Sequence, residues 1–287
     1  MIRIAIQSKG RLNEQSVELL KDAGVTIDEQ KRKFLGRAAN YPLEVLYLRD
    51  DDIPEVVADG SSDIGIVGLN EVAETNADVN IVRRLGFGRC RISLAVPKAC
   101  IPEGGQLPLQ WFQGKTIATS YPNVLQRFFD EKGIAASIRV IKGSVEIAPA
   151  AGIADAIFDI VSSGGTLISN GLVEVERVFE SEAVLIGGKN LSAEKQAILD
   201  SLLFRIDAVS DSRGKKYILM NLPSDKIDEA IRILPALRSP TVMPLAAEGW
   251  CSLHSVVKDC ELWDKVEKLK ALGAEGILVL QLDKVIE

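Results

Sequence analysis

Histidine is nearly missing from this chain of 287 residues, in which His254 is the only one. A Ser-His-Asp triad would need that single side chain, and a metal centre built from several histidines is excluded. Cysteine is also scarce: the four residues lack the C-x-x-C spacing of zinc or redox sites and are too few for a disulfide scaffold. They are Cys90, Cys100, Cys251 and Cys260. We therefore expect a reduced, cytoplasmic protein.

Long apolar runs are absent as well. No segment approaches the ~18 residues that indicate a membrane span. Met1 leads directly into Ile2, Ile4 and Ile6, which alternate with other residues and form neither the apolar core nor the cleavage site of a targeting segment. We expect no membrane partner and no processing.

An excess of positive charge is also lacking, since 40 acidic residues outnumber 34 basic ones and give a formal net charge of −6. Binding to nucleic acid depends on many Lys and Arg side chains that neutralise phosphates, so we expect no nucleic-acid partner. One local phosphate pocket is still allowed. A hydrophobic content of 47% is ample for buried cores, and at ~150 residues per domain the length suggests about two domains, although three small units also fit.

The N-terminal part has the pattern of an α/β fold. Residues 2–7 predict a strand, which a glycine turn joins to a helix that ends at Gly24. Residues 43–48 predict a second strand, and the apolar run 64–67 suits a buried parallel strand. Ligands of such folds bind beyond the carboxyl ends of the strands, here the loops after Gln7, Leu48, Val67 and Val161.

Two segments of the chain resemble each other. Residues 60–68 and 152–161 each have a glycine, an aspartate three residues later, and then an apolar strand. Their separation of 92 residues (152 − 60) indicates two similar α/β lobes and not a short-period solenoid. Coincidence between two common strand-entry patterns is the alternative.

In the middle of the chain, residues 101–114 predict a surface excursion before a strand at 116–119.

The C-terminal part has a different pattern. Residues 211–216 predict a polar linker. The last ~75 residues then follow the order β-α-β-β-α-β, which is typical of a separate ferredoxin-like domain.

The strongest local site lies at 159–167, where a buried strand ends in a loop rich in Ser, Gly and Thr and a helix starts near Thr166. Glycines let the backbone approach a ligand, and free N–H groups and hydroxyls at a helix start bind anions. An ordinary capped glycine turn is the alternative. Asp155 and Asp159 beside the loop suit ribose hydroxyls or Mg²⁺, or are solvated carboxylates.

Basic residues at the strand ends are candidate polyphosphate ligands. Lys9, Gly10 and Arg11 follow the first strand and Arg49 follows the second, although charged turns are usually only solvated. Tyr121 follows the strand at 116–119 and either lines the same cleft or caps the next helix. A denser basic patch lies where the first lobe passes into the second. It consists of Arg83, Arg84, Arg89 and Arg91.

Three other features carry less weight. The sequence 114–116 (Gly-Lys-Thr) lacks the first glycine of a P-loop, because Leu109 stands there, and it begins a strand. The sequence 86–88 lacks the third glycine of a dinucleotide fingerprint. His254 lies in an apolar strand and is more typical of a structural residue.

Longer motifs resemble a known family. Residues 143–149 (GSVEIAP), with Gly152, Asp155, residues 159–161 and residues 164–172, resemble the signature of ATP phosphoribosyltransferase, the first enzyme of histidine biosynthesis. Further similar motifs run along the whole chain. They lie at 9–12, 49–54, 63–68, 118–122 and 239–245.

One position departs from the family pattern. Long-form relatives often carry an acidic residue directly after the glycine at Gly68, but here Leu69 follows, and Glu71 comes two positions later. The resemblance therefore does not fix a role for that carboxylate.

The resemblance implies a reaction in which N1 of the ATP adenine displaces pyrophosphate from C1 of phosphoribosyl pyrophosphate, with Mg²⁺ on the pyrophosphate. Such a displacement has oxocarbenium character and needs positioning and charge stabilisation, not a dedicated nucleophile. The implied catalytic residues are Glu146, Asp155 and Asp159, with Glu146 and Asp159 also as metal ligands. The implied phosphoribosyl pyrophosphate loop is Ser162, Ser163, Gly164, Gly165, Thr166 and Leu167. The implied ATP site is Lys9, Gly10, Arg11, Arg49 and Tyr121.

The resemblance also implies a fold and an assembly. We expect a two-lobed, periplasmic-binding-protein-like α/β catalytic part, with residues 1–92 and 180–208 in one lobe and 93–179 in the other. Residues 209–287 would form a ferredoxin-like regulatory domain that binds histidine as feedback inhibitor. The family suggests a homo-hexamer with a dimer as building block. The alternatives are a two-lobed solute-binding or sensor protein, which the Ser-Ser-Gly-Gly-Thr loop disfavours, and a catalytically silent regulatory subunit.

Overall fold

The computed structural model describes residues 1–27, 34–234 and 237–286. They form two compact units, which divide within one helix between Leu199 and Asp200. Residues 22–24 belong with the C-terminal unit. No helix in these ranges is long and apolar enough to cross a membrane.

The strands are numbered in chain order. They are β1 (Ile2–Gln7), β2 (Leu35–Arg37), β3 (Leu43–Leu48), β4 (Ile64–Gly68), β5 (Asn80–Arg84), β6 (Cys90–Pro97), β7 (Thr116–Thr119), β8 (Ser137–Val140), β9 (Ala156–Val161), β10 (Leu172–Ser181), β11 (Ala183–Gly187), β12 (Lys215–Pro223), β13 (Thr241–Pro244), β14 (Trp250–Lys258) and β15 (Glu275–Gln281).

The α-helices are numbered in the same way. They are α1 (Arg11–Asp22), α2 (Ile53–Ala58), α3 (Leu69–Thr75), α4 (Pro122–Lys132), α5 (Gly165–Ser169), α6 (Ala193–Ser212), α7 (Ile227–Ile233) and α8 (Leu262–Ala271).

Lobe I of the first unit is built on a six-stranded sheet of order β2-β3-β1-β4-β11-β5. Strands β1, β3 and β4 run parallel, and the apolar side chains of β1 and β4 are buried. Pro54 suits the first turn of α2, because a proline there sacrifices no helical hydrogen bond. The carboxyl ends of the three parallel strands therefore meet at one edge, as the sequence predicts.

Lobe II is built on a five-stranded sheet of order β10-β6-β9-β7-β8. Its core includes Phe112, Phe129 and Phe158, all of which are buried. The chain enters lobe II between β5 and β6 and returns to lobe I between β10 and β11. Two α/β lobes joined by two chain crossings confirm the predicted fold class.

The C-terminal unit carries a third sheet of order β13-β14-β12-β15, in which every pairing is antiparallel. Counted within this unit, the strands lie in the order 2-3-1-4, and a helix follows the first and the third strand. That arrangement is the predicted ferredoxin-like topology. Its core joins Met220 and Leu253 of the sheet to Leu269 of α8.

The predicted polar linker at 211–216 is wrong. Helix α6 continues to Ser212, and β12 already begins at Lys215. The Ser212 hydroxyl is within hydrogen-bond distance of the carbonyls of Val209, at 2.8 Å, and Asp283, at 3.0 Å, so a polar side chain is accommodated in a buried helix end. Gly214, with a φ of 70°, then makes the turn into the strand.

The predicted surface excursion at 101–114 is right only in part. Residues 102–106 are exposed, as their Pro and Gly residues suggest. A 3₁₀ turn at Leu109–Phe112 then places the Phe112 ring in the core of lobe II, where it contacts Phe129 at 6.1 Å between centroids. Aromatic burial therefore anchors the end of this segment.

The close approach of β4 to α2 generates a stability prediction. A Cβ atom at Gly65 would lie 2.7 Å from Ile53 Cγ2 and 3.1 Å from Val57 Cγ2, and both of those side chains are buried. We expect Gly65→Ala to lower the free energy of unfolding by about 1–3 kcal/mol through overpacking. Gly36→Ala is the control, since its nearest atoms lie at 3.5 Å. Equal urea midpoints for the two variants would contradict this account.

Candidate active site

A small cup lies at the carboxyl end of β9 in lobe II. Its volume is about 110 Å³. Gly164 stands just before α5 with a φ of 82°, a left-handed conformation that favours glycine and lets the chain turn abruptly from the strand into the helix. Among the residues that the structure describes, no Lys or Arg lines the cup. Its lining is Glu146, Ile157, Asp159, Ile160, Val161, Ser162, Ser163, Gly164, Thr166 and Leu167.

Two carboxylates, Glu146 and Asp159, stand on the wall of this cup. Burial raises the pKa of Asp159 to about 6; the N–H of Ile160 opposes that shift and the charge of Glu146 adds to it. Neither carboxylate forms an ion pair within the described ranges. The structure thus brings together most of the predicted loop and two of the three predicted carboxylates.

Asp155 does not belong to this group. It precedes β9, whereas Asp159 is the fourth residue of that strand and the loop 162–167 follows the strand. At ~3.3 Å per residue of strand, Asp155 lies about 13 Å from Asp159. Its Oδ2 accepts a hydrogen bond of 2.8 Å from the N–H of Thr116, and its Oδ1 lies 3.8 Å from Lys115 Nζ. Asp155 therefore fixes the start of β7.

A larger cavity of about 510 Å³ lies between the two lobes, at the carboxyl ends of β1, β3 and β4. Ile160 and Ser162 line both this interlobe cavity and the cup, so the two spaces adjoin. The remaining lining comes mainly from lobe I. It is Gln7, Arg11, Leu12, Gln15, Asp50, Gly68, Asn70, Glu71, Gly86, Phe87, Gly88, Arg89 and Cys90.

The predicted cations divide between the cavity and its surroundings. Arg11 lines the cavity, whereas Lys9 and Gly10 lie in the exposed turn between β1 and α1. Arg49 pairs with Asp51 at 3.2 Å, and Lys142 of lobe II approaches the same carboxylate at 3.6 Å. Arg49 therefore takes part in an ion-pair group that joins the lobes.

The basic patch at the end of β5 and the start of β6 is partly neutralised. Arg84 and Arg89 both approach the Glu182 carboxylate, at 2.9 and 4.0 Å. Arg91 pairs with Glu174 through two guanidinium nitrogens, and a third donates to the Ser162 carbonyl at 3.1 Å. Arg91 thus fixes the carbonyl group of Ser162, a residue that lines the cup.

A buried polar cluster joins the lobes beside the cavity. We call it the interlobe cluster, and it consists of Asn70, Glu71, Tyr121 and Ser181. Glu71 Oε1 accepts hydrogen bonds from Tyr121 Oη at 2.8 Å and from Asn70 Nδ2 at 2.7 Å. Asn70 Oδ1 in turn accepts one from the Ser181 hydroxyl at 2.7 Å. All four residues are buried, so these partners satisfy groups that water does not reach.

The electrostatics of the interlobe cluster are unusual. Burial raises the pKa of Glu71 to about 7, the Tyr121 hydrogen bond opposes the shift, and the charges of Asp50, Asp51 and Glu74 add to it. Burial and the Glu71 carboxylate also raise the pKa of Tyr121 well above its ordinary value. Tyr121 does not line the cavity, but its hydroxyl contacts Glu71, which does. The sequence alone assigned no role to Glu71. Its position shortly after the carboxyl end of β4, where ligands of α/β folds bind, was the signal that could have identified it.

His254 serves the small C-terminal sheet. Its Nδ1 lies 2.9 Å from the Tyr217 hydroxyl and its Nε2 lies 3.0 Å from the Ser252 hydroxyl. Both ring nitrogens therefore have neighbours within the sheet, which agrees with a structural role.

A second contact between the lobes generates a prediction. The Glu74 carboxylate of α3 accepts hydrogen bonds from the N–H groups of Asn123, at 3.0 Å, and Val124, at 2.9 Å, at the start of α4. Because a carboxylate there satisfies free N–H groups and the helix dipole, we expect Glu74→Ala to lower the free energy of unfolding by about 0.5–2 kcal/mol. Glu131→Ala, which removes an exposed carboxylate near the other end of α4, is the control. A Glu74→Ala variant as stable to urea as the control would refute the capping role.

Comparison with known proteins agrees with this architecture. Residues 49–208 match the family model described as "ATP phosphoribosyltransferase", and residues 212–284 match the model described as "HisG, C-terminal domain". An ATP phosphoribosyltransferase of Bacteroides fragilis is 56% identical over 286 residues and one of Cytophaga hutchinsonii is 53% identical over 287, with 99–100% of each chain covered.

One solved structure is also similar. It is the ATP phosphoribosyl transferase (HisG:HisZ) complex from Thermotoga maritima, in which the matched chain is 32% identical. The TM-score is 0.62, over 72% of this chain and 96% of that one. The present chain therefore belongs to the ATP phosphoribosyltransferase family, in its long form with a C-terminal regulatory domain, and is a transferase of histidine biosynthesis.

Proposed function

We propose that the cup and the interlobe cavity hold the two substrates of this transferase side by side. The observation that carries the proposal is that Ile160 and Ser162 line both spaces. Phosphoribosyl pyrophosphate with its 5-phosphate in the cup directs C1 toward the cavity, where N1 of the ATP adenine attacks. Displacement at C1 has oxocarbenium character, so alignment and charge stabilisation supply most of the catalysis.

The cup binds the 5-phosphate without cationic side chains. The hydroxyls of Ser162, Ser163 and Thr166, with the free N–H groups of the loop from Gly164 through Gly165 to Leu167, are the donors. The sharp turn at Gly164 brings this backbone close to the ligand. Arg91 supports the loop through the Ser162 carbonyl.

Mg²⁺ is the proposed metal ion, and Glu146 and Asp159 are its proposed ligands. Two carboxylates without a Lys or Arg partner, one with a raised pKa, form a site that a divalent cation would stabilise. Mg²⁺ prefers oxygen ligands and is usually bound by one or two carboxylates together with substrate phosphates. Bound there, it would neutralise charge on the leaving pyrophosphate.

ATP is proposed to occupy the interlobe cavity. Leu12, Phe87 and Ile160 offer apolar surface to the adenine, and Arg11 and Arg89 offer charge to the polyphosphate. Lys9 and Gly10 directly precede Arg11, and Arg49 directly precedes Asp50, both of which line the cavity, so these three residues complete the proposed site. Tyr121 acts on it through Glu71.

The phosphate cup is tested by Thr166→Val, which removes one hydroxyl at nearly constant volume. A hydrogen bond to a charged group contributes about 1.5–3 kcal/mol, so we expect the KM for phosphoribosyl pyrophosphate to rise roughly 10- to 100-fold. The KM for ATP should change little. Ser169→Ala is the control, because that hydroxyl lies on the same helix and donates to the Thr166 carbonyl outside the cup. Unchanged kinetics in Thr166→Val would exclude the assignment.

Regulation is assigned to the ferredoxin-like domain. The match of residues 212–284 to the C-terminal domain of the family supports histidine as its ligand and feedback inhibitor. A homo-hexamer assembled from dimers completes the proposal. The four cysteines are all unpaired, which supports a reducing, cytoplasmic location.

Removal of the regulatory domain tests this assignment. A variant truncated after Ser212, the last residue of α6, should still release pyrophosphate from ATP and phosphoribosyl pyrophosphate but should lose its inhibition by histidine. The full-length chain, assayed with and without histidine, is the control. Inhibition that survives the truncation would place the effector site in the catalytic part.

A further inference from the structure

Glu71 has one oxygen engaged and one free. Its Oε1 accepts the hydrogen bonds from Tyr121 and Asn70, whereas its Oε2 accepts none from the residues that the structure describes. The side chain is only 6% exposed, yet it lines the interlobe cavity. The hydrogen bonds to Oε1 therefore fix the orientation of the carboxylate, and Oε2 remains available to a ligand.

Asp50, the other carboxylate of the cavity, is engaged on both sides. Its Oδ2 accepts a hydrogen bond from Gln7 Nε2 at 3.2 Å, and its Oδ1 accepts one from the N–H of Asp51 at 3.2 Å. Glu71 is thus the cavity carboxylate with a free oxygen. Adenine offers a donor that suits such an oxygen, because its exocyclic amino group is adjacent to N1.

We propose that Glu71 is a further catalytic residue, which accepts a proton from the adenine 6-amino group as N1 bonds to C1 of the ribose. The proposal rests on the placing of ATP in the interlobe cavity. The N1 lone pair forms the new bond, and the C1–O bond to pyrophosphate breaks with its electrons on pyrophosphate. The N6–H bond breaks and its proton moves to Glu71 Oε2. The electron pair of that bond forms the C6=N6 double bond, while the C6=N1 π pair returns to N1, so the product is a neutral 6-imino form.

The surroundings of Glu71 suit a proton acceptor. A general base is most effective when its pKa is near the working pH, and burial with the negative charges of Asp50, Asp51 and Glu74 brings Glu71 there. Arg11 and Arg89 line the same cavity and oppose this effect with positive charge. Tyr121 donates to the carboxylate and holds the pKa lower than burial alone would.

The pH dependence of kcat in the full-length enzyme tests the proposal. Glu71 is active when ionised, so kcat should fall as the pH drops through about 7. At pH 8 we expect Glu71→Gln to lower kcat about 100-fold or more, the usual contribution of general base catalysis, and to abolish this acid limb. The KM for phosphoribosyl pyrophosphate should stay the same.

Tyr121→Phe supplies a readout that a purely structural role would not move. The variant keeps the ring but removes the hydroxyl that lowers the pKa of Glu71, so the acid limb should shift to higher pH. If Glu71→Gln does not fold, the shift of the acid limb in Tyr121→Phe alone decides whether Glu71 is the proton acceptor. A folded Glu71→Gln enzyme with kcat within twofold of the parent, or an acid limb that Tyr121→Phe leaves in place, would overturn the proposal.

Arg11→Gln separates this proposal from the placing of ATP. An unchanged KM for ATP in that variant would overturn the ATP site itself. A raised KM for ATP in Arg11→Gln, together with a retained kcat in Glu71→Gln, would overturn only the role of Glu71.

Discussion

The buried hydrogen bonds between Glu71, Asn70 and Tyr121 are the constraint on which the catalytic part depends. They connect the end of a parallel strand in lobe I to the start of a helix in lobe II, and Ser181 joins them where the chain returns between the lobes. Because an unpaired buried carboxylate is costly, separation of the lobes is opposed. The width of the interlobe cavity follows from this contact.

Sequence reasoning found the parts whose signal is local. The Ser-, Gly- and Thr-rich loop between β9 and α5 and the parallel strands of lobe I follow from hydrophobic pattern and turn chemistry. Asp155 was grouped with Asp159 because the two are near in the sequence, but sequence does not show that Asp155 lies before β9 and makes its contact at the start of β7. Ser212 was misread because its hydrogen-bond partner, the Asp283 carbonyl, is 71 residues away.

Glu71 shows what sequence cannot supply. Its position after a buried strand marks it as a candidate, but its pKa depends on burial and on charges from a different turn, at Asp50 and Asp51. Those influences exist only after the chain has folded: Asp50 and Asp51 approach Glu71 within lobe I, and Tyr121 of lobe II contacts its carboxylate. The same holds for Arg91, whose support of the cup requires β6 to lie between β9 and β10.

The lack of Lys and Arg in the lining of the cup has a further consequence. Backbone amides and hydroxyls are dipoles that bring no mobile counterions. Arg11 and Arg89, which line the interlobe cavity, carry full charges. Dissolved salt screens interactions between exposed charges over about 8–10 Å at ordinary ionic strength. In the arrangement of substrates proposed above, ionic strength would act unequally on the two of them: it would weaken the attraction of Arg11 and Arg89 for the nucleotide more than the hydrogen bonds of the loop to the 5-phosphate.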